Sequence, residues 1–136
     1  TLFPYTTLFR SLDPHYDGAD YTAVADIPSA FDVILLAVKP QVMADVAQSL
    51  RPIVTPDTLI LSIAAGKTLG FLENIFGASH PIIRAMPNTP AAIGRGITVA
   101  VPAGDVTADQ RAVADALLLP RPIRQRSPMV QACGTA

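Results

Sequence analysis

An α/β fold with a mainly parallel sheet is predicted by three features of the sequence. Short aliphatic and β-branched runs recur along the middle of the chain, helical periods separate them, and turn residues mark each change. Residues 33–38 (VILLAV) form an unbroken apolar run, the pattern of a strand covered on both faces. Lys39-Pro40 ends it. Val42, Met43, Val46, Ala47 and Leu50 then recur at three- and four-residue spacing, which puts them on one face of a helix stopped near Pro52.

The second unit repeats the rhythm. Residues 59–63 (LILSI) predict a strand, Ala64-Ala65-Gly66 a small-residue turn, and Leu69, Leu72 and Phe76 the inner face of a short helix with Gly77 as its C-cap. Residues 82–86 predict a third strand running into Pro87-Asn88-Thr89-Pro90, where two prolines around Asn-Thr force a loop that Gly94 and Gly96 extend. Residues 97–101 (ITVAV) predict the last clear strand. Thr107-x-x-Gln110 then matches a capping box, opening a helix with Val113 and Leu117 expected to face inward.

Composition narrows the functional classes. A chain of 136 residues, half apolar and 15% charged, suits one hydrophobic core rather than two domains. Net charge is −1 and aromatics are 6%, so neither a basic stripe nor a stacking platform points to nucleic acid. The apolar runs fall far below the roughly 18 residues of a membrane-spanning helix. No basic-then-apolar leader with a cleavage pattern is evident, and the single Cys133 permits no internal disulfide, so a reducing cytoplasm is expected. No membrane partner and no metal site is expected.

The two ends differ in character. Residues 1–11 (TLFPYTTLFRS) follow no helical or strand period and read as an adaptor-derived scar outside the fold. Residues 118–136 carry three arginines and no acid, whereas the preceding residues hold the other seven basic residues against all eleven acidic ones. That jump in charge, with three prolines in the same stretch, predicts a frameshifted or disordered tail. The expected domain is therefore 12–117.

Three strand ends carry the chemistry. They are Ala37-Val38-Lys39-Pro40-Gln41, Ser62-Ile63-Ala64-Ala65-Gly66 and Arg84-Ala85-Met86-Pro87-Asn88-Thr89-Pro90. Ligands of open α/β sheets bind at the carboxyl ends of the strands, where all three would lie. Val38 and Lys39 can present backbone groups to a ribose or phosphate beside the stiff Pro40. Ala64, Ala65 and Gly66 lack bulk, so the backbone can approach a flat ring closely, and Pro87 and Asn88 can wall it. Plainer roles stand beside these: Lys39 as a solvated strand-end lysine, Asn88 as a turn former, Arg84 as the partner of a carboxylate, and His80 as a cap or a solvent-facing side chain. His15 and Cys133 receive no role.

In order and spacing these stretches, with Gly94-x-Gly96 and the Thr107-x-x-Gln110 helix start, resemble the N-terminal domain of pyrroline-5-carboxylate reductase over about residues 27–117. Met86-Pro87-Asn88-Thr89-Pro90 is the most specific of them. The resemblance implies a partial Rossmann-like, doubly wound domain, NADP or NAD as cofactor, and a small-molecule imine as substrate. It further implies a cofactor site at Ala37, Val38, Lys39, Pro40, Ile63, Ala64, Ala65, Gly66, Pro87 and Asn88, and a parent that forms homo-oligomers through a C-terminal helical domain.

Two departures from the family pattern are plain. No Gly-x-Gly-x-x-Gly turn precedes residue 33, and no helical domain follows residue 117, so an inactive fragment lacking the first strand is expected. Leu12-Asp13-Pro14 is the candidate remnant of the second strand's end. Two other readings stay open: a non-catalytic α/β module, and another reductase related to the 6-phosphogluconate or hydroxyacid dehydrogenases.

Overall fold

A computed structural model describes residues 31–90 and 95–118, together with the backbone of a short strand, Ala132–Cys133. The expectations for residues 1–11, for Leu12-Asp13-Pro14, for Gly94 and for most of 118–136 lie outside the described residues.

Strand β1 (Val33–Leu36), helix α1 (Met43–Leu50), strand β2 (Leu59–Ser62), helix α2 (Leu69–Phe76), strand β3 (Ile82–Pro87), strand β4 (Thr98–Ala103), helix α3 (Ala108–Leu118) and strand β5 (Ala132–Cys133) follow one another along the chain. One sheet holds all the strands in the order β1-β2-β3-β4-β5. β1, β2 and β3 are parallel and adjacent, with Val33 opposite Leu59 and Ile60 opposite Ile82. The helical crossovers predicted this, because a parallel neighbour needs a connection long enough to return the chain. β4 runs antiparallel to β3, with Pro87 opposite Thr98 and Ile82 opposite Ala103, and β5 lies parallel to β4.

Helices cover both faces of the sheet. On one face Met43, Val46 and Leu50 of α1 and Leu72 of α2 cluster with Leu36, Ile60 and Ile82. On the other, Leu59, Leu61, Ile83, Ala85 and Ala100 cluster with Ala114 of α3. β2 therefore buries all four of its residues, as a continuous apolar run should.

Four local expectations change. β1 is shorter than its apolar run, ending at Leu36, while Ala37 is already exposed. β4 continues through Pro102 to Ala103. In α3 the inward residue is Ala114, at 1% exposure, and not Val113 or Leu117, at 43% and 55%. α3 packs on a sheet face that presents Leu59, Leu61 and Ile83 beside Ala85 and Ala100, and the small Ala114 lets the helix approach that face closely. The fourth change is Ala132–Cys133, a pair within the expected tail that runs beside Val99 and Ala100.

The capping box forms as predicted. Gln110 N–H donates to Thr107 Oγ1 at 3.2 Å, and Thr107 N–H donates to Gln110 Oε1 at 3.0 Å. The same Gln110 amide donates through Nε2 to the Asp57 carbonyl at 3.0 Å, which ties α3 to the loop before β2. Gly77 caps α2 at φ 112°, as expected.

Candidate functional site at the carboxyl edge of the sheet

Because β1, β2 and β3 are parallel, their carboxyl ends emerge along one edge of the sheet. That edge brings the three predicted stretches together in order: Ala37 to Pro40 after β1, Ile63 to Gly66 after β2, and Pro87 with Asn88 at the end of β3. The antiparallel β4 starts at the same edge, since Thr98 pairs with Pro87.

The ten predicted residues differ in exposure. Val38 packs against the cluster under α1 and α2, where Ala64 is buried, and Ile63 packs against the cluster under α3. Their side chains pack into the clusters on the two faces of the sheet, so at these positions the edge presents backbone rather than side chain. Ala37, Lys39, Ala65, Gly66 and Asn88 are exposed, and Pro40 and Pro87 are half-buried.

The loop after β2 is held from three sides. Ser62 Oγ accepts from Ala64 N–H at 3.4 Å, and Thr68 caps α2 by accepting from Phe71 N–H at 3.2 Å. Arg84 Nε, reaching across from β3, donates to the Lys67 carbonyl at 2.6 Å. Arg84 was expected to pair with a carboxylate; it pins this loop instead, because a charged donor in an apolar strand needs an acceptor and the Lys67 carbonyl presents one. Lys67 itself lies 4.6 Å above the Phe71 ring. Gly66 takes φ 71°, with nothing within 4 Å of the place a Cβ would occupy, so the turn is tight and open above.

Asn88 acts as a turn residue in the structure. Its Oδ1 accepts from Ile97 N–H at 2.9 Å while its own N–H donates to the Ile97 carbonyl at 3.3 Å. These two bonds extend the β3–β4 pairing one step beyond the sheet. The edge as a whole carries Lys39 and Lys67 in its loops and Arg84 directed toward it, with Asp45 in the first turn of α1. Cations outnumber acids there, which suits an anionic ligand lying over small side chains. The Arg84 to Lys67 bond was the part of this geometry that spacing alone did not reveal; an arginine inside an apolar strand was its one sequence signal.

No family model matches the chain. Known proteins do. The pyrroline-5-carboxylate reductase of Pseudomonas aeruginosa is 44% identical over 96 residues, which cover 71% of this chain and 34% of the relative. That of Escherichia coli is 40% identical over 87 residues, 64% of this chain and 32% of the relative. Among solved structures, the Coxiella burnetii pyrroline-5-carboxylate reductase superposes with TM-score 0.61 at 35% identity, over 65% of this chain and 33% of that one. The Plasmodium falciparum enzyme, solved with NADP bound, gives 0.64 at 25% identity over 74% and 38%. Prephenate dehydrogenase from Aquifex aeolicus, at TM-score 0.51 and 15% identity, shares the fold alone. The chain spans about one third of the length of the curated relatives it matches. Sequence and fold agree that this chain is homologous to the N-terminal portion of the pyrroline-5-carboxylate reductases.

Proposed function

We propose that residues 32–117 form the nicotinamide-binding part of a pyrroline-5-carboxylate reductase of proline biosynthesis. The observation that carries this reading is the convergence of three small or proline-stiffened loops at the carboxyl edge of one parallel sheet, in a chain 44% identical to such a reductase. When bound, NADPH or NADH supplies a hydride to the imine carbon of 1-pyrroline-5-carboxylate, the ring nitrogen gains a proton, and proline results.

The residues present fit such a cofactor on its nicotinamide side. Gly66 leaves open space above its backbone beside the exposed Ala65, and Arg84 holds that loop in place through Lys67. Pro87 and Asn88 close the crevice on the β3 side, with Asn88 locked to Ile97. Their task is alignment, since a ring fixed against a rigid wall reaches its partner at little further entropic cost. Lys39 and Lys67 favour the phosphates electrostatically. A cytoplasmic setting with a small-molecule substrate accords with the single cysteine, and no described helix is long and apolar enough to cross a membrane.

The test is a chimera in which residues 32–117 replace the matching segment of the Escherichia coli reductase. Turnover of pyrroline-5-carboxylate, followed as cofactor oxidation at about 340 nm, is expected; a folded chimera with no turnover would overturn the reading. The 136-residue polypeptide on its own should bind NADPH and NADH weakly by calorimetry, since no glycine-rich turn is present in it to donate to the pyrophosphate. Each such charge-assisted bond contributes about 1.5–3 kcal/mol, so loss of two should weaken binding at least a hundredfold.

A further inference from the structure

Two residues side by side in the sheet hold the loop after β2 at its two ends. Ser62 closes β2 and Arg84 lies opposite it in β3, so both project from one face by strand alternation. Ser62 Oγ accepts from the Ala64 N–H at the start of the loop, and Arg84 Nε donates to the Lys67 carbonyl at its end. Ala65 and Gly66 span the gap between. Both are exposed, and Gly66 turns through φ 71° with nothing within 4 Å of the place a Cβ would occupy.

The partners in this bond say how Arg84 acts. Its acceptor is a neutral backbone carbonyl, while the Lys67 side chain is turned toward α2, its ammonium 4.6 Å from the centre of the Phe71 ring. It is the backbone of residue 67 that meets Arg84. Arg84 also stands three residues before Pro87 on one strand, so a single hydrogen bond ties the wall of Pro87 and Asn88 to the loop across from it. The width of the slot between them depends on that tie. A planar ring held in the slot reacts only if its distance to the substrate is kept, and a misplacement of about 1 Å can cost about a hundredfold in rate.

We propose that Arg84 is a positioning residue: it sets the Ala65-Gly66 turn against the Pro87-Asn88 wall through its Nε–H bond and not through its charge. The kinetic consequence rests on the reading of this edge as a nicotinamide site, whereas the fixing of the turn does not. Glutamine and methionine separate the bond from the charge. The glutamine amide nitrogen is attached to Cδ, as Nε is in arginine, so Arg84→Gln keeps a donor at the same reach and removes the charge. Arg84→Met keeps a similar length and removes both.

Nitrogen-15 relaxation of the full chain and kinetics of the Escherichia coli chimera test it together. Backbone order parameters at Ala65 and Gly66 should stay near about 0.85 in the parent and in Arg84→Gln, and should fall below about 0.6 in Arg84→Met, with far-ultraviolet circular dichroism alike in all three. In the chimera, Arg84→Met should lower kcat by about 10- to 100-fold and change the KM for NADPH by less than about threefold, while Arg84→Gln keeps kcat within about threefold. Should Arg84→Met not fold, Arg84→Gln decides alone. Three results would each overturn the proposal: an Arg84→Met chain as rigid or as fast as the parent, a loss confined to KM, or an Arg84→Gln chain as mobile or as slow as Arg84→Met. A chimera that is inactive with Arg84 in place would sink the reductase reading alone, and the relaxation measurement would still decide whether Arg84 fixes the turn.

Discussion

Replacing Gly104 with alanine should destabilise the protein far more than the same change at Gly66, although both residues have positive φ, 65° and 71°. An alanine in that left-handed region costs about 1–2 kcal/mol in either place. It also narrows the unfolded ensemble, which returns about 0.4–1 kcal/mol. At Gly66 nothing lies within 4 Å of the new methyl, so the net loss should be about 1 kcal/mol or less. At Gly104 the methyl would overlap the His80 carbonyl oxygen, with the His80 and Ser79 carbonyl carbons at 3.0 and 3.1 Å. Those are backbone atoms that cannot swing aside, and overpacking of this kind costs about 1–3 kcal/mol more. The expected loss is therefore about 2–4 kcal/mol. Urea unfolding followed by far-ultraviolet circular dichroism measures both variants, with comparison valid if the slope against denaturant stays constant. Equal losses at the two positions would refute the argument, because only the close approach to His80 separates them.

Stability should also fall as pH drops below about 6.5. Burial holds the His80 imidazole below its ordinary value of 6.5, with the Thr58 backbone bond acting the other way. The folded protein then takes up this proton less readily than the unfolded chain, so the contribution is complete above the unfolded value and is lost as pH falls through the folded one. Denaturation midpoints between pH 7.5 and 5.5 should show the decline, and His80→Phe should flatten it. Gln110→Glu should keep the acceptor for Thr107 N–H but remove the donor to the Asp57 carbonyl, costing about 1 kcal/mol in the same urea experiment; an unchanged midpoint would mean that the tie to Asp57 contributes nothing.

Periodicity and turn chemistry were enough to locate the sheet. The run from 59 could be read as a buried strand because every residue in it is apolar or small, and the crossovers imposed parallel pairing with its neighbours. The run from 33 was expected to be covered on both faces too, but β1 ends the described strand order and leaves Leu35 50% exposed, which its composition could not show. The strand ends were legible as well, since proline, glycine and paired alanines have few other uses at such positions. What could not be read was which of several neighbouring apolar residues would turn inward. In α3, Val113 and Leu117 carry the stronger hydrophobic signal, yet Ala114 is the residue inside, clustered with Leu59, Leu61 and Ile83 as well as Ala85 and Ala100. Only the partner surface decides that. The Arg84 bond to Lys67 escaped for a related reason: it joins residues distant in sequence through a single contact, which leaves no period behind.

The reversal of direction at β4 has a consequence for how the crevice is assembled in time. β3 and β4 form a hairpin, so Pro87 and Thr98 meet after a short excursion of chain, and Asn88 and Ile97 seal it. Val33 meets Leu59, and Ile60 meets Ile82, only after a whole helical crossover has been closed. Closing a longer loop costs more entropy before any contact repays it, so the hairpin wall has the kinetic advantage. Substitutions in β3 and β4 should therefore slow refolding, whereas those in β1 should mainly speed unfolding. Until β1 and β2 arrive, the wall bearing Pro87 and Asn88 stands with a bare strand edge beside it, a short-lived species open to pairing with another chain.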